Sequence, residues 1–362
     1  MRRFARTLAA AALAVAVVAG TAGWVSADAQ QAVTGPPPGA AAWRSDGVLG
    51  RPLPDPATAS PYEVARFFAG LDESARLLLV RRHPLVAGNL DGAPVRLRYE
   101  ANRIAVRASG DPRYARLAEP GRQILAFDPR GRGQVAEVFG DLERSAHVSV
   151  VVPGSDSDAT GYDAPRAPHT GASGMARALR AATAGRSAVV AWTGYTTPVG
   201  LGPDVAGGRL AQAGARRLVR FTEGLDAVGA ADPALFCHSY GSVVCGLAAS
   251  RTDARDIVAF GSPGMRADSV SELRTRARVW AAKGPSDWIS DVPNVRFAGL
   301  GHGTDPTSSA FGARRVPAGD VRGHAGYFAP GTSTLTAFSA IATGETAETG
   351  QTAETAEMGE TR

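Results

Sequence analysis

The run Ala234-Leu-Phe-Cys-His-Ser-Tyr-Gly-Ser-Val-Val-Cys245 constrains this chain more than any other stretch. A short apolar segment ends at one polar residue, Ser239, and a small-residue helical segment begins directly after it. Such a strand–turn–helix holds a hydroxyl clear of the end of a sheet, above a helix N-terminus whose dipole and free backbone N–H favour an anion beside it. The pattern is that of a nucleophile elbow, G-x-S-x-G, with Cys237 in place of the first glycine.

The surrounding chain alternates strands and helices. Strands are expected at 124–128, 136–140, 147–152, 187–192, 234–238, 256–260, 278–282 and 294–298. Helices are expected at 172–184, 210–228, 240–251, 270–276 and 332–341. Buried apolar strands of this length separated by helices predict an α/β fold with a mostly parallel, doubly wound sheet. Sites in such sheets lie at the carboxyl ends of the strands. Gly/Pro/Asp-rich loops occupy those ends.

Before this core, residues 60–118 read as a helical prefix. Ser60-Pro61-Tyr62-Glu63 carries a capping-box signature, and Val64, Phe67, Phe68 and Leu71 fall on one helical face. Residues 30–58, with Gly35-Pro-Pro-Pro-Gly39 and Pro52-Leu-Pro-Asp-Pro56, read as an extended Pro/Gly/Ala-rich linker. Residues 119–344 form the predicted core. The 345–362 tail is a degenerate Glu/Thr/Ala repeat with almost no bulky apolar residue and is expected to be disordered, with a tether to a wall or partner as the alternative.

Arg2, Arg3 and Arg6 precede the apolar run Leu8–Gly20, and Ala27-Asp28-Ala29 offers a small-x-small cleavage site. Residues 1–29 therefore predict a general secretory signal peptide, cleaved near Ala29, and a secreted protein. Membrane contact is expected only if this segment stays uncleaved. The formal charge of +5 falls to +3 without it, and the arginines are scattered. That pattern excludes a concentrated nucleic-acid surface. No metal-ligand spacing and no nucleotide loop occurs, so neither metal nor cofactor is expected. Two cysteines exist, Cys237 and Cys245. Export permits a disulfide between them across the elbow; two small buried thiols are the alternative.

A serine nucleophile needs a histidine base and an acid to orient it, in the chain order Ser, Asp/Glu, His when the elbow is of this kind. Asp287, in the turn after strand 278–282, is the candidate acid, with Asp291 behind it. His324, ahead of the closing helix, is the candidate base, with His302 behind it. His238 is expected to pack. Two backbone N–H groups must hold an oxyanion: Tyr240 supplies one, and Ser155, beside Gly154 in Pro153-Gly154-Ser155, the other. Trp192, Tyr195, Trp288 and Tyr327 lie near strand ends and could line an apolar pocket, or equally pack in the core. Residues 155–171 and 299–322 are long enough to form a lid.

With these residues placed, the chain resembles a family of exported actinobacterial α/β-hydrolases of unknown function. The resemblance covers most of residues 60–344. It includes His83-Pro84, Gly88-Asn-Leu-Asp-Gly92, Ala101-Asn-Arg103, Phe139-Gly-Asp-Leu142, Val151-Val-Pro-Gly154, Trp192-Thr-Gly-Tyr195 and His238-Ser-Tyr-Gly-Ser242. Further along it includes Gly261-Ser-Pro-Gly264, Val279-Trp-Ala281 with Asp287, Asp305-Pro306 with Phe311-Gly-Ala313, and Gly323-His324 with Tyr327-Phe328. It implies an α/β-hydrolase fold with Ser239, Asp287 and His324 as triad, and no particular substrate. The expected activity is hydrolysis of an acyl bond, a carboxylic ester above all, in a small-molecule or lipid substrate. An exported peptidase or amidase, or a non-catalytic surface protein that keeps the fold, are the alternatives.

Overall fold

The computed structural model of this chain describes residues 30–345, except 164–166, 201 and 298. The expected signal peptide, and the tail beyond Glu345, lie outside the described residues. Eight strands form one sheet in the order β1-β2-β4-β3-β5-β6-β7-β10. They are Ile124–Asp128 (β1), Gln134–Phe139 (β2), His147–Val152 (β3), Ser187–Thr193 (β4), Pro233–His238 (β5), Asp256–Phe260 (β6), Arg278–Ala282 (β7) and Arg314–Arg315 (β10). β2 runs antiparallel to both neighbours, and every other pairing is parallel. The central strands are apolar on both faces because both faces are covered: β4 is buried at every position.

One face packs under helices Arg209–Ala227 (α8) and Tyr240–Ala248 (α9). The other packs under Gly171–Ala182 (α6) and Ser333–Ala342 (α10). The prefix helices are Pro61–Ala69 (α2), Glu73–Arg82 (α3), Pro84–Asn89 (α4) and Val95–Ser109 (α5). Ser60 closes the predicted capping box: its side chain accepts from Glu63 N–H at 3.2 Å, and its own N–H donates to the Glu63 carboxylate at 2.7 Å. Buried polar groups tie the prefix to the sheet. Asn102 Nδ2 donates to the carbonyls of Gly88 and Ile124, each at 3.0 Å. Asp91 is fully buried between Arg98, Arg217 and Arg220.

Three local expectations are corrected. Residues 30–58 are not a free linker. They carry helix Ala40–Arg44 (α1) and bury Trp43, whose indole N–H donates to Pro54 O at 2.7 Å. Gln30 and Val33 hydrogen-bond to Asp204, Thr197 and Thr196 of the core. The expected strand 294–298 does not join the sheet. Only Arg296–Phe297 (β8) pairs, antiparallel to Leu300–Gly301 (β9), and Val295 is exposed. The segment alternates polar and apolar residues, whereas a strand covered on both faces needs a continuous apolar run. β10, two residues of the 299–322 segment, takes the edge beside β7 instead. The helix expected at 270–276 shrinks to a single turn, Ser271–Leu273, ended by Arg274 at φ 49°.

Cys237 and Cys245 form a disulfide that joins β5 to α9 across the elbow, with both residues fully buried. The bridge closes a loop with a sequence separation of 8. A loop this short restrains the unfolded chain by about 2–3 kcal/mol. Double replacement by alanine is therefore expected to lower the melting temperature by several degrees. Calorimetry of the double variant checks it.

Candidate active site

Ser239 sits between β5 and α9 at φ 51°, ψ −127°. A non-glycine residue at positive φ costs roughly 1–3 kcal/mol and persists only where its surroundings fix it. Here they do. Ser239 N–H donates to Phe260 O at 3.0 Å, and its carbonyl accepts from the Ser242 N–H at 2.9 Å and the Ser242 hydroxyl at 2.6 Å. Gly241 is required by close approach: a Cβ there would lie 2.4 Å from the Val152 carbonyl oxygen. The first glycine of the motif is dispensable because Cys237 points into the core and bonds Cys245.

Gly154, after β3, lies against the serine. A Cβ on it would stand 2.6 Å from Ser239 Cβ and 3.1 Å from Oγ. Tyr195 fixes this loop, its hydroxyl donating to Pro153 O at 2.7 Å. Tyr240 opens α9, so its N–H has no intrahelical partner. The N–H of Ser155 donates to no backbone carbonyl among the described residues. Tyr240 adjoins the serine in the chain, and Gly154, which precedes Ser155, packs against it. Gly154→Ala is expected to push the loop off Ser239 and, on the reading that the Tyr240 and Ser155 N–H groups hold an oxyanion, to lower kcat by about 10²–10³-fold, the cost of losing one such donor. Steady-state kinetics beside a melting curve checks it.

Asp287 follows β7 and is buried. Its Oδ1 accepts from His324 Nδ1 at 2.8 Å and from Ile289 N–H at 2.9 Å, and its Oδ2 from the Tyr327 hydroxyl at 2.5 Å. Burial alone would raise this carboxyl. The hydrogen bonds from His324, Tyr327 and Ile289 outweigh that and hold it below the usual carboxylate range. With Nδ1–H committed to Asp287, the neutral His324 ring presents an unprotonated Nε2. No hydrogen bond joins the Ser239 hydroxyl to His324 among the described residues. Such contacts are often long before a substrate is bound.

Two residues support His324 in ways the sequence reading missed. His238 is packing, as expected, but it also donates its Nε2–H to the His324 backbone carbonyl at 2.8 Å, with the two rings 4.6 Å apart. Burial, then the nearby His324, pushes its pKa down to about 3, so it stays neutral. Gly261, after β6 at φ 53°, leaves room for the pair: a Cβ there would meet Asp287 Oδ2 at 3.0 Å and the His324 ring at 3.2 Å. A glycine at a strand's carboxyl end was the available signal.

The expected pocket residues divide. Trp192 and Tyr195 stack on each other and are buried in the core. Tyr327 is buried too, with its hydroxyl spent on Asp287. These three are not pocket walls. Trp288 is 40% exposed, with its ring 4.6 Å from that of His324, and does stand at the site. His302 is not at the site. Burial pushes it down to about 4, its Nε2–H donates to Val205 O at 2.6 Å, and it packs edge-on against Tyr240. Asp291 is exposed. Among the described residues no cluster of metal-ligating side chains occurs, and no helix is long and apolar enough to cross a membrane.

Residues 128–297 match the model of a family described as alpha/beta hydrolase. That span contains Gly154, Ser239 and Asp287; His324 lies beyond it. Uncharacterized proteins from two strains of Mycobacterium tuberculosis are each 28% identical over 378 residues, covering 81% of this chain and 57% of theirs. The chain thus spans little more than half the length of these relatives. Among solved structures, an α/β serine hydrolase without lid from Xanthomonas campestris is 19% identical. That match covers 57% of this chain and 87% of the other, with a TM-score of 0.35. A dienelactone hydrolase from Anabaena variabilis is 14% identical over 59% of this chain and 90% of its own, with a TM-score of 0.38.

Proposed function

We propose that this chain, an α/β-hydrolase by its fold and its family match, is an exported serine hydrolase that cleaves carboxylic esters. Ser239 Oγ attacks the acyl carbonyl while His324 Nε2 takes its proton. The N–H groups of Tyr240 and Ser155 hold the oxyanion. His324 then returns the proton to the leaving alcohol, and an acyl-enzyme remains. Water, activated by the same imidazole, releases the acid and restores the serine.

The observation that carries this reading is the buried Asp287 carboxylate on His324 Nδ1, 2.8 Å apart. A buried carboxylate bonded to one imidazole nitrogen fixes the tautomer and stabilises the imidazolium that forms when the other takes a proton. Gly154 packed on the strained Ser239 supports the same reading from the oxyanion side. Export rests on the N-terminal basic and apolar run, and the Cys237–Cys245 disulfide is compatible with it. The exposed Trp288, beside His324, favours an apolar acyl group.

A panel of p-nitrophenyl esters of rising chain length, run beside aminoacyl anilides, tests the function. Turnover of the esters well above the anilides is the expected result. Anilide cleavage at equal or greater kcat/KM would make the protein a peptidase of the same fold.

A further inference from the structure

A cavity of about 260 Å³ lies on the same rim of the sheet, toward its β1–β2–β4 edge, and has no part in the proposed reaction. Arg130, Arg216, Arg217 and Arg220 line it, against two carboxylates, Asp91 and Asp128. Both carboxylates are already paired. Asp91 accepts from Arg98 and Arg217 and has Arg220 at 3.7 Å. Asp128 is held by the fork of Arg130, which also donates to the carbonyls of Thr34 and Gly35. Those two residues belong to the strap Val33–Pro37 that walls the cavity on the outside.

Two donors are left over. Arg216, exposed on α8, forms no ion pair or side-chain hydrogen bond among the described residues. Across from it on β2, Gln134 Nε2 is buried with no hydrogen-bond partner. A buried donor without an acceptor costs about 1–3 kcal/mol, so an acceptor entering here is favoured. Positive charge is in excess, and guanidinium groups prefer oxyanions with several oxygens.

We propose that this cavity binds a small anion bearing a phosphate or phosphate monoester group. A tetrahedral group presents oxygens in several directions, which suits donors that converge from α8 and β2. The volume is just under the roughly 300 Å³ where pockets for drug-sized ligands begin, so it fits a group of this size. The ion enters past Arg216. The site does not depend on the hydrolytic reading.

The test uses the full mature chain. Its melting temperature is followed against inorganic phosphate and glycerol phosphate, with chloride at matched ionic strength as control. A saturable rise with phosphate that chloride does not reproduce is expected. Arg216→Ala should weaken the apparent Kd at least tenfold, and Arg216→Lys, which keeps the charge and loses the fork, by less. Neither should alter the melting temperature without phosphate. Co-sedimentation with phosphatidic acid vesicles, absent with phosphatidylcholine and lost in Arg216→Ala, would assign the anion to a lipid headgroup. Binding of glycerol phosphate without co-sedimentation would assign it to a soluble ester. Phosphate acting no more strongly than chloride, or an Arg216→Ala variant that binds within twofold of wild type, would overturn the proposal.

Discussion

Ser239→Ala is expected to lower kcat on an activated ester by about 10⁶-fold, because removing the nucleophile of a triad costs about as much as removing the triad. Stability should hardly move. The hydroxyl makes no hydrogen bond among the described residues, and alanine inherits the backbone conformation at φ 51°. Ser239→Gly separates the two roles of this position. It removes the same hydroxyl and also relaxes the positive φ, so activity falls equally while the melting temperature rises by an amount worth about 1 kcal/mol. Kinetics and calorimetry on the two variants read both effects.

Asp287→Ala is expected to lower kcat by about 10⁴-fold, the scale of losing the acid of a triad. Three donors lose their acceptor at once: His324 Nδ1–H, the Tyr327 hydroxyl and Ile289 N–H. At about 1 kcal/mol each, stability falls by about 3 kcal/mol. The imidazole is then free to take the other tautomer, in which Nε2 carries a proton and cannot accept one from Ser239. The pH dependence has a defined sign. The folded-state pKa of Asp287 is depressed, so its contribution is present above the unfolded value near 4 and lost as pH falls through the folded value. The stability gap between wild type and Asp287→Ala should therefore narrow below about pH 4. Denaturant titrations at pH 7 and pH 3 measure it.

Much of this geometry was readable along the chain, and the reasons for success and failure are physical. β3 through β7 are short apolar runs bounded by breakers, and a run covered on both faces leaves no other reading. Asp287 and His324 are legible because they follow the serine in order, each in a loop after a strand. Gly154 is legible because a loop packed this closely on Ser239 needs a residue without a Cβ.

Trp192, Tyr195 and Tyr327 were not resolved, since an aromatic residue at a strand end can turn into the core or out to the rim. The sequence period does not decide this when both faces are buried. Here hydrogen bonds decide it: Tyr195 and Tyr327 turn inward, where Pro153 O and Asp287 Oδ2 accept from them. The docked course of residues 30–58 was hidden for a different reason. Part of its attachment runs through backbone groups, such as Thr34 O and Gly35 O on Arg130, which any residue type could supply. His238 looked like packing alone because its partner is also a backbone carbonyl.

The most direct test of the account is labelling with a fluorophosphonate, which bonds covalently only to an activated serine. Wild-type protein should be labelled once, at Ser239 by peptide mass, and Ser239→Ala should remain unlabelled. A folded wild-type protein that takes no label, or a Ser239→Ala variant labelled as readily as wild type, would contradict it.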